Sequence, residues 1–138
     1  MNTLSQLQQS LLPHHICIQT NVYELSKQFY IDILGFSVTE ETPNFNGRAY
    51  NTWLGKNGFY IELQTPKVGK KFEPIHTEIS GINHLCFYSP DLEALFLEIE
   101  RLAPNSILKP LYTVFSTTLF KIKAPEGTII EFRNTLSS

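Results

Sequence analysis

The chain has 138 residues, 42% of them hydrophobic, with 13 acidic against 11 basic side chains and a formal charge of −2. That length fits one domain-sized core, and a near-neutral balance argues against a nucleic-acid partner, which needs a basic face to displace counterions from phosphates. No stretch reaches the 18 or so apolar residues of a membrane span, residues 1–12 lack an export signal, and Cys17 and Cys86 are too few for a secreted disulfide framework, so a cytoplasmic protein is expected.

In chain order, Leu4, Leu7 and Leu11 at helical spacing mark a short helix or a frayed arm. A strand is predicted over 14–19. Asn21 and Glu24 then form a capping signal for a helix with Val22, Leu25, Phe29 and Ile33 on its apolar stripe and Gly35 at its end. Strands follow over 36–40, 48–55 and 58–64, the last two joined by a turn at Asn57-Gly58. A polar, proline-containing linker covers about 67–80. The order then recurs: a strand over 84–88; a helix with Ser89-Pro90-Asp91 at its start and Leu92, Leu95, Phe96, Ile99 and Leu102 on one face; strands over 107–111, 119–123 and 128–133, with a turn at 124–127.

The recurrence extends to individual residues. Shifted by 69 positions, His15-Ile16-Cys17-Ile18 falls on His84-Leu85-Cys86-Phe87, Glu24 on Glu93, and Gly58 and Glu62 on Gly127 and Glu131, without a gap. The chain is thus an α+β domain of two tandem βαβββ modules, about 12–66 and 81–135. The two modules are expected to form a cupped, partly open mixed sheet around a metal site, for which the strand faces below supply the residues. Neither small sheet can cover both of its faces alone, so the modules must pack together or against a second chain.

Strand alternation sorts the side chains. His15, Cys17 and Gln19 oppose Ile16 and Ile18; His84, Cys86 and Tyr88 oppose Leu85 and Phe87. On the closing strands Tyr60, Glu62 and Gln64, and likewise Glu131 and Arg133, share the histidine side. A carboxylate among apolar strand residues is costly to bury without a cationic partner. A divalent ion would satisfy His15, Glu62, His84 and Glu131 together, because neutral imidazole and carboxylate suit zinc, nickel, cobalt, iron or manganese. The plainer alternative makes the histidines hydrogen-bonded core residues and the glutamates exposed strand residues. Cys17 and Cys86 are expected to be buried free thiols.

These motifs resemble the vicinal oxygen chelate superfamily, which includes glyoxalase I, epimerases, dioxygenases and metal-free bleomycin-binding proteins. Its carriers are His-His-Ile-Cys-Ile at 14–18, Phe-Tyr-Ile-Asp-Ile-Leu-Gly-Phe at 29–36, Ile-Glu-Leu at 61–63, Gly-Ile-Asn-His-Leu at 81–85 and Ala-Pro-Glu-Gly-Thr-Ile-Ile-Glu-Phe at 124–132. The resemblance implies one divalent metal ion per site, held by His15, Glu62, His84 and Glu131, with His14 flanking. The His, Glu, His, Glu pattern is most similar to glyoxalase I. It implies a lyase or isomerase that moves a proton beside a metal-bound carbonyl or enediolate oxygen of a small substrate, with Glu131 as base and Glu62 as ligand or second catalytic group. Gln19 stands where glyoxalase I carries an arginine for glutathione, so another polar substrate is expected, met by Gln19, Arg48, Tyr60, Gln64, Tyr88 and Arg133. The alternatives are an epimerase of acyl-CoA thioesters and a metal-free small-molecule-binding protein. A homodimer is expected, with the site either within one chain or shared between two.

Overall fold

A computed structural model describes residues 1–76 and 78–138. Its elements are α1 (Leu4–Gln8), β1 (His15–Gln19), α2 (Tyr23–Asp32), β2 (Ser37–Phe45), β3 (Arg48–Lys56), β4 (Phe59–Gln64), β5 (His84–Tyr88), α3 (Leu92–Leu102), a 3-10 turn (Pro104–Ser106), β6 (Ile107–Val114), β7 (Thr117–Lys123) and β8 (Ile129–Arg133). They form two open four-stranded sheets, ordered β1-β4-β3-β2 and β5-β8-β7-β6. In each, the first pair is parallel and the others antiparallel. The two βαβββ units expected from the repeat are therefore present. No helix among the described residues is long and apolar enough to cross a membrane.

The outer strands run further than the sequence indicates. Against expected ends at 40 and 111, β2 continues through Pro43 to Phe45 and β6 runs on from Pro110 to Val114. Both are edge strands, where a residue without an N–H is tolerated because one side of the ladder has no partner to lose. β2 turns into β3 through Asn46 and Gly47, whose φ values of 48° and 79° suit a tight hairpin.

The helix starts also differ from expectation. Asn21 does not cap α2: the N-cap is Val22, which has no side-chain cap bond. Asn21 instead binds the backbone of Phe72 from both sides, donating from Nδ2 to its carbonyl (3.0 Å) and accepting its N–H at Oδ1 (2.9 Å). This pair of bonds ties the linker to the first unit. In α3 the cap is Asp91, which accepts from the Ala94 N–H at 3.4 Å, two residues later than Ser89. α2 buries Tyr23, Ser26, Phe29 and Tyr30, while Val22 and Leu25 are exposed. The polar atoms of Tyr23, Ser26 and Tyr30 find partners, so this face reads as less apolar than it is. α3 buries Leu92, Phe96 and Ile99 but leaves Leu102 exposed.

One hydrophobic core spans both halves: Tyr30, Phe36, Leu54 and Ile61 from the first join Phe120, Ile122, Ile130 and Phe132 from the second. The seam is aromatic. Phe87 of β5 meets Phe36 and Phe59, with ring centroids 6.3 and 6.4 Å apart. At the β7–β8 turn, Glu126 accepts from Ser26 (2.7 Å) and Tyr30 (2.6 Å), clamping the second unit onto α2. Tyr30 is fully buried there, and burial together with the Glu126 charge holds its hydroxyl proton well above the usual tyrosine range. The two units thus meet through the apolar sides of their sheets.

Candidate metal centre

The strand register brings the repeated residues together twice. In the parallel pair β1–β4, Cys17 lies opposite Glu62; in β5–β8, Cys86 lies opposite Glu131. His15 Nε2 is 3.7 Å from Glu62 Oε1, and His84 Nε2 is 3.6 Å from Glu131 Oε2. The burial alternation in all four strands follows the expected parity: Ile18, Ile61, Leu63, Ile130 and Phe132 are buried, and the donor residues lie on the other faces.

The remaining nitrogen of each imidazole is engaged. His84 Nδ1 bonds Asn83 Oδ1 at 2.8 Å, and His15 Nδ1 bonds His14 Nδ1 at 2.8 Å. An amide oxygen can only accept, so His84 Nδ1 donates to Asn83, and in the neutral ring this leaves the Nε2 lone pair turned toward Glu131. Imidazole and carboxylate face each other in both pairs at distances beyond a hydrogen bond. Their spacing is shorter than the sum of two metal–ligand bonds, about 4.2 Å, so a cation can bridge each pair. A hydrogen bond that fixes the distal nitrogen is also what a metal-ligating histidine requires. The donor chemistry fits a divalent ion.

Three or more such donors do not gather within one copy: among the described residues no cluster of three His, Cys, Asp or Glu side chains close enough to hold an ion exists. The units meet through their apolar faces, and each donor pair projects from the opposite side of its own sheet. One chain carries two half-sites.

The half-sites have different surroundings. Glu62 accepts from Asn51 Nδ2 (3.2 Å), Asn51 Oδ1 accepts from Gln64 Nε2 (3.1 Å), and Gln64 Oε1 accepts from Gln19 Nε2 (3.2 Å). Trp53, opposite Glu62 in the ladder, sets its ring edge against His15 at 4.7 Å between centroids. Glu131 instead faces Lys121, whose Nζ is 3.9 Å from Oε2, and receives the Cys86 thiol at 3.5 Å. The asymmetry comes from the turns. β3 and β4 pair last at Lys56 and Phe59, across Asn57-Gly58, whereas β7 and β8 pair last at Lys123 and Ile129. The longer second turn moves β7 by one register position.

The expected substrate-facing residues are placed as follows. Gln19 and Gln64 lie together in the amide chain. Tyr60 stacks on His14 (5.4 Å), and Tyr88 is exposed at the end of β5. Arg48 donates to the Thr65 carbonyl at 2.7 Å, tying β3 to the end of β4. Arg133 donates to Thr135 Oγ1 (3.0 Å) and the Ser137 carbonyl (2.8 Å), and its buried Nε has no partner among the described residues. Asn51, Trp53 and Lys121 are absent from the sequence reading. The first two follow from the Asn57-Gly58 turn, since a two-residue loop fixes which residues of β3 lie opposite Glu62 and Gln64.

Both cysteines are free, as expected, but exposed rather than buried, because each sits on an uncovered donor face. Partial burial and then the facing carboxylate push each thiol up to about 11, Glu62 acting on Cys17 and Glu131 on Cys86. Only a thiolate attacks an alkylating reagent, so iodoacetamide at pH 8 should modify the metal-free protein roughly a hundredfold more slowly than an ordinary surface cysteine. Mass spectrometry of timed samples checks this. Reaction at the ordinary rate would show that the carboxylates do not face the thiols.

The repeated sheets have counterparts among known proteins. Residues 12–132 match the Glyoxalase/Bleomycin resistance protein/Dioxygenase superfamily. The chain belongs to this superfamily. It is 36% identical over 91 residues to the uncharacterized protein YaeR of Escherichia coli K12, an alignment covering 63% of this chain and 67% of that one. Its fold matches a glyoxalase family protein from Enterococcus faecalis with a TM-score of 0.76 at 21% identity, covering 91% of this chain and 98% of that one. It also matches glyoxalase I from Zea mays, with a TM-score of 0.75 at 17% identity, covering 91% and 45%.

Proposed function

We propose that the protein is a glyoxalase-like lyase or isomerase that uses one divalent ion (nickel, cobalt, zinc, iron or manganese) per site and moves a proton on carbon beside a carbonyl of a small substrate. The observation that carries this reading is the repeated facing of imidazole and carboxylate, His15 with Glu62 and His84 with Glu131, at 3.7 and 3.6 Å. His15, Glu62, His84 and Glu131 would hold the ion. Since one copy offers two donors at a time, the reading includes a homodimer in which the His15–Glu62 pair of one copy meets the His84–Glu131 pair of the other. Such an ion supplies a Lewis acid that makes the adjacent C–H more acidic.

The rest of the chemistry belongs to the chain. Asn51 holds Glu62 by a hydrogen bond, which keeps that carboxylate in place as a ligand. Glu131 has only the weak thiol donor of Cys86 and the looser Lys121, so it is the carboxylate freer to turn, take a proton and return it. Trp53 and Tyr60 flank the first donor pair, their ring centroids 6.5 Å apart. Gln19 is occupied by Gln64 and offers neutral hydrogen bonds where an arginine would offer a charged fork, so glutathione is not the favoured thiol partner.

Elemental analysis after exposure to nickel, cobalt, zinc or manganese is expected to find about one ion per chain, and His84→Ala to lose most of it, because one of four donors to the ion disappears. Metal-free wild type under all four conditions, or full occupancy in His84→Ala, would sink the assignment.

A further inference from the structure

Resting on the function proposed above, we infer that the substrate carries an anionic group, a carboxylate or a phosphate, and that Lys121 receives it beside Glu131. The charge of the two donor faces supports this. On the first sheet the donor face holds Glu62 among Gln19, Gln64, Asn51 and Trp53, and the residue opposite Trp53 in β2 is Glu40. That face has carboxylates and amides. The second sheet sets Lys121 opposite Glu131, Lys109 opposite Lys121, Lys123 two positions along from Lys121, and Arg133 two positions along from Glu131. A cup built from one face of each kind is acidic on one wall and basic on the other.

The basic wall is under-compensated. Like charges directly opposite across a ladder repel, and Lys109 and Lys121 stand in that relation. Two of the four cations are engaged elsewhere: Arg133 is held by Thr135 and the Ser137 carbonyl, and Lys109 Nζ lies over the Tyr112 ring at 3.9 Å. Lys123 is exposed at the end of β7. Lys121 is the one beside Glu131: its side chain is 26% exposed, and its Nζ makes only a loose ion pair with Glu131 Oε2 at 3.9 Å. A partly desolvated ammonium attracts an anion more strongly than one in bulk water.

The test is calorimetric titration of the full-length protein at low ionic strength with acetate, inorganic phosphate and neutral acetamide. Each is run with wild type, Lys121→Met, Lys121→Arg and Lys109→Met, and metal content is measured in parallel. At least one of the two anions is expected to bind wild type, with a Kd about tenfold or more weaker in Lys121→Met, as befits a lost hydrogen bond to a charged group. Lys121→Arg should retain binding, Lys109→Met should lose less, and acetamide should not bind. Acetate alone assigns a carboxylate, phosphate alone a phosphate, and both together a site that reads charge. Equal anion Kd values in wild type and Lys121→Met, or acetamide binding as well as acetate, overturn the inference. Metal content separates the two readings: unmetallated wild type with Lys121-dependent anion binding rejects the metal reading alone, and normal metal with Lys121-independent binding rejects this one alone.

Discussion

Replacing Glu131 with glutamine is expected to slow the exchange of the substrate's acidic C–H with solvent by about 10²- to 10⁴-fold, the usual cost of losing a general base. Glutamine keeps the volume and one ligand oxygen, so metal content should fall far less than exchange. The choice of Glu131 rests on the unequal setting of two otherwise matched carboxylates: Asn51 tethers Glu62 at 3.2 Å, while Glu131 has a thiol at 3.5 Å and Lys121 at 3.9 Å. A base must leave its resting contacts to reach carbon, and the carboxylate with weaker contacts does so at lower cost. Deuterium incorporation followed by NMR reads the rate, and elemental analysis reads the occupancy. Undiminished exchange in Glu131→Gln, with Glu62→Gln inactive, would transfer the role to Glu62.

The second large effect is structural. Glu126→Ala removes the acceptor that serves Ser26 at 2.7 Å and Tyr30 at 2.6 Å. Ser26 keeps its bond to Thr20 (2.7 Å), but the Tyr30 hydroxyl, on a fully buried residue, loses its carboxylate. Hydrogen bonds to charged groups contribute about 1.5–3 kcal/mol, and an orphaned buried hydroxyl costs a similar amount. A loss of about 2–3 kcal/mol is therefore expected, lowering Tm by roughly 6–15 °C. Glu126→Gln, which still accepts one bond, should lose less. Calorimetric melting checks both, and an unchanged Tm in Glu126→Ala would show that the aromatic seam alone joins the halves.

Most of the architecture was legible because it is written twice. The 69-residue repeat located both units, and strand parity placed His15, Glu62, His84 and Glu131 on the faces where the structure has them. The misses share one cause: the relevant partner is distant in sequence. Asn21 looks like a cap because Glu24 lies three residues on, but its amide serves Phe72 across 51 residues. β2 and β6 outrun the expected 36–40 and 107–111 as edge strands, where proline is tolerated, and edge position depends on the whole sheet. Lys121 faces Glu131 because the second hairpin turn is longer than the first, and parity carried over from the first unit would place Ile122 there, which lies opposite Ile130 instead.

The division of donors within one chain also has a consequence for how the protein would respond to its own abundance. On the proposed reading, neither copy holds a complete ligand set, so metal retention is linked to association by mass action. Occupancy becomes a function of chain concentration as well as of free metal. Dilution below the dissociation constant of the pair would release the ion even from intact, folded chains, and added metal would draw copies together. A catalyst of this kind has a built-in threshold of expression below which its folded subunits are inert.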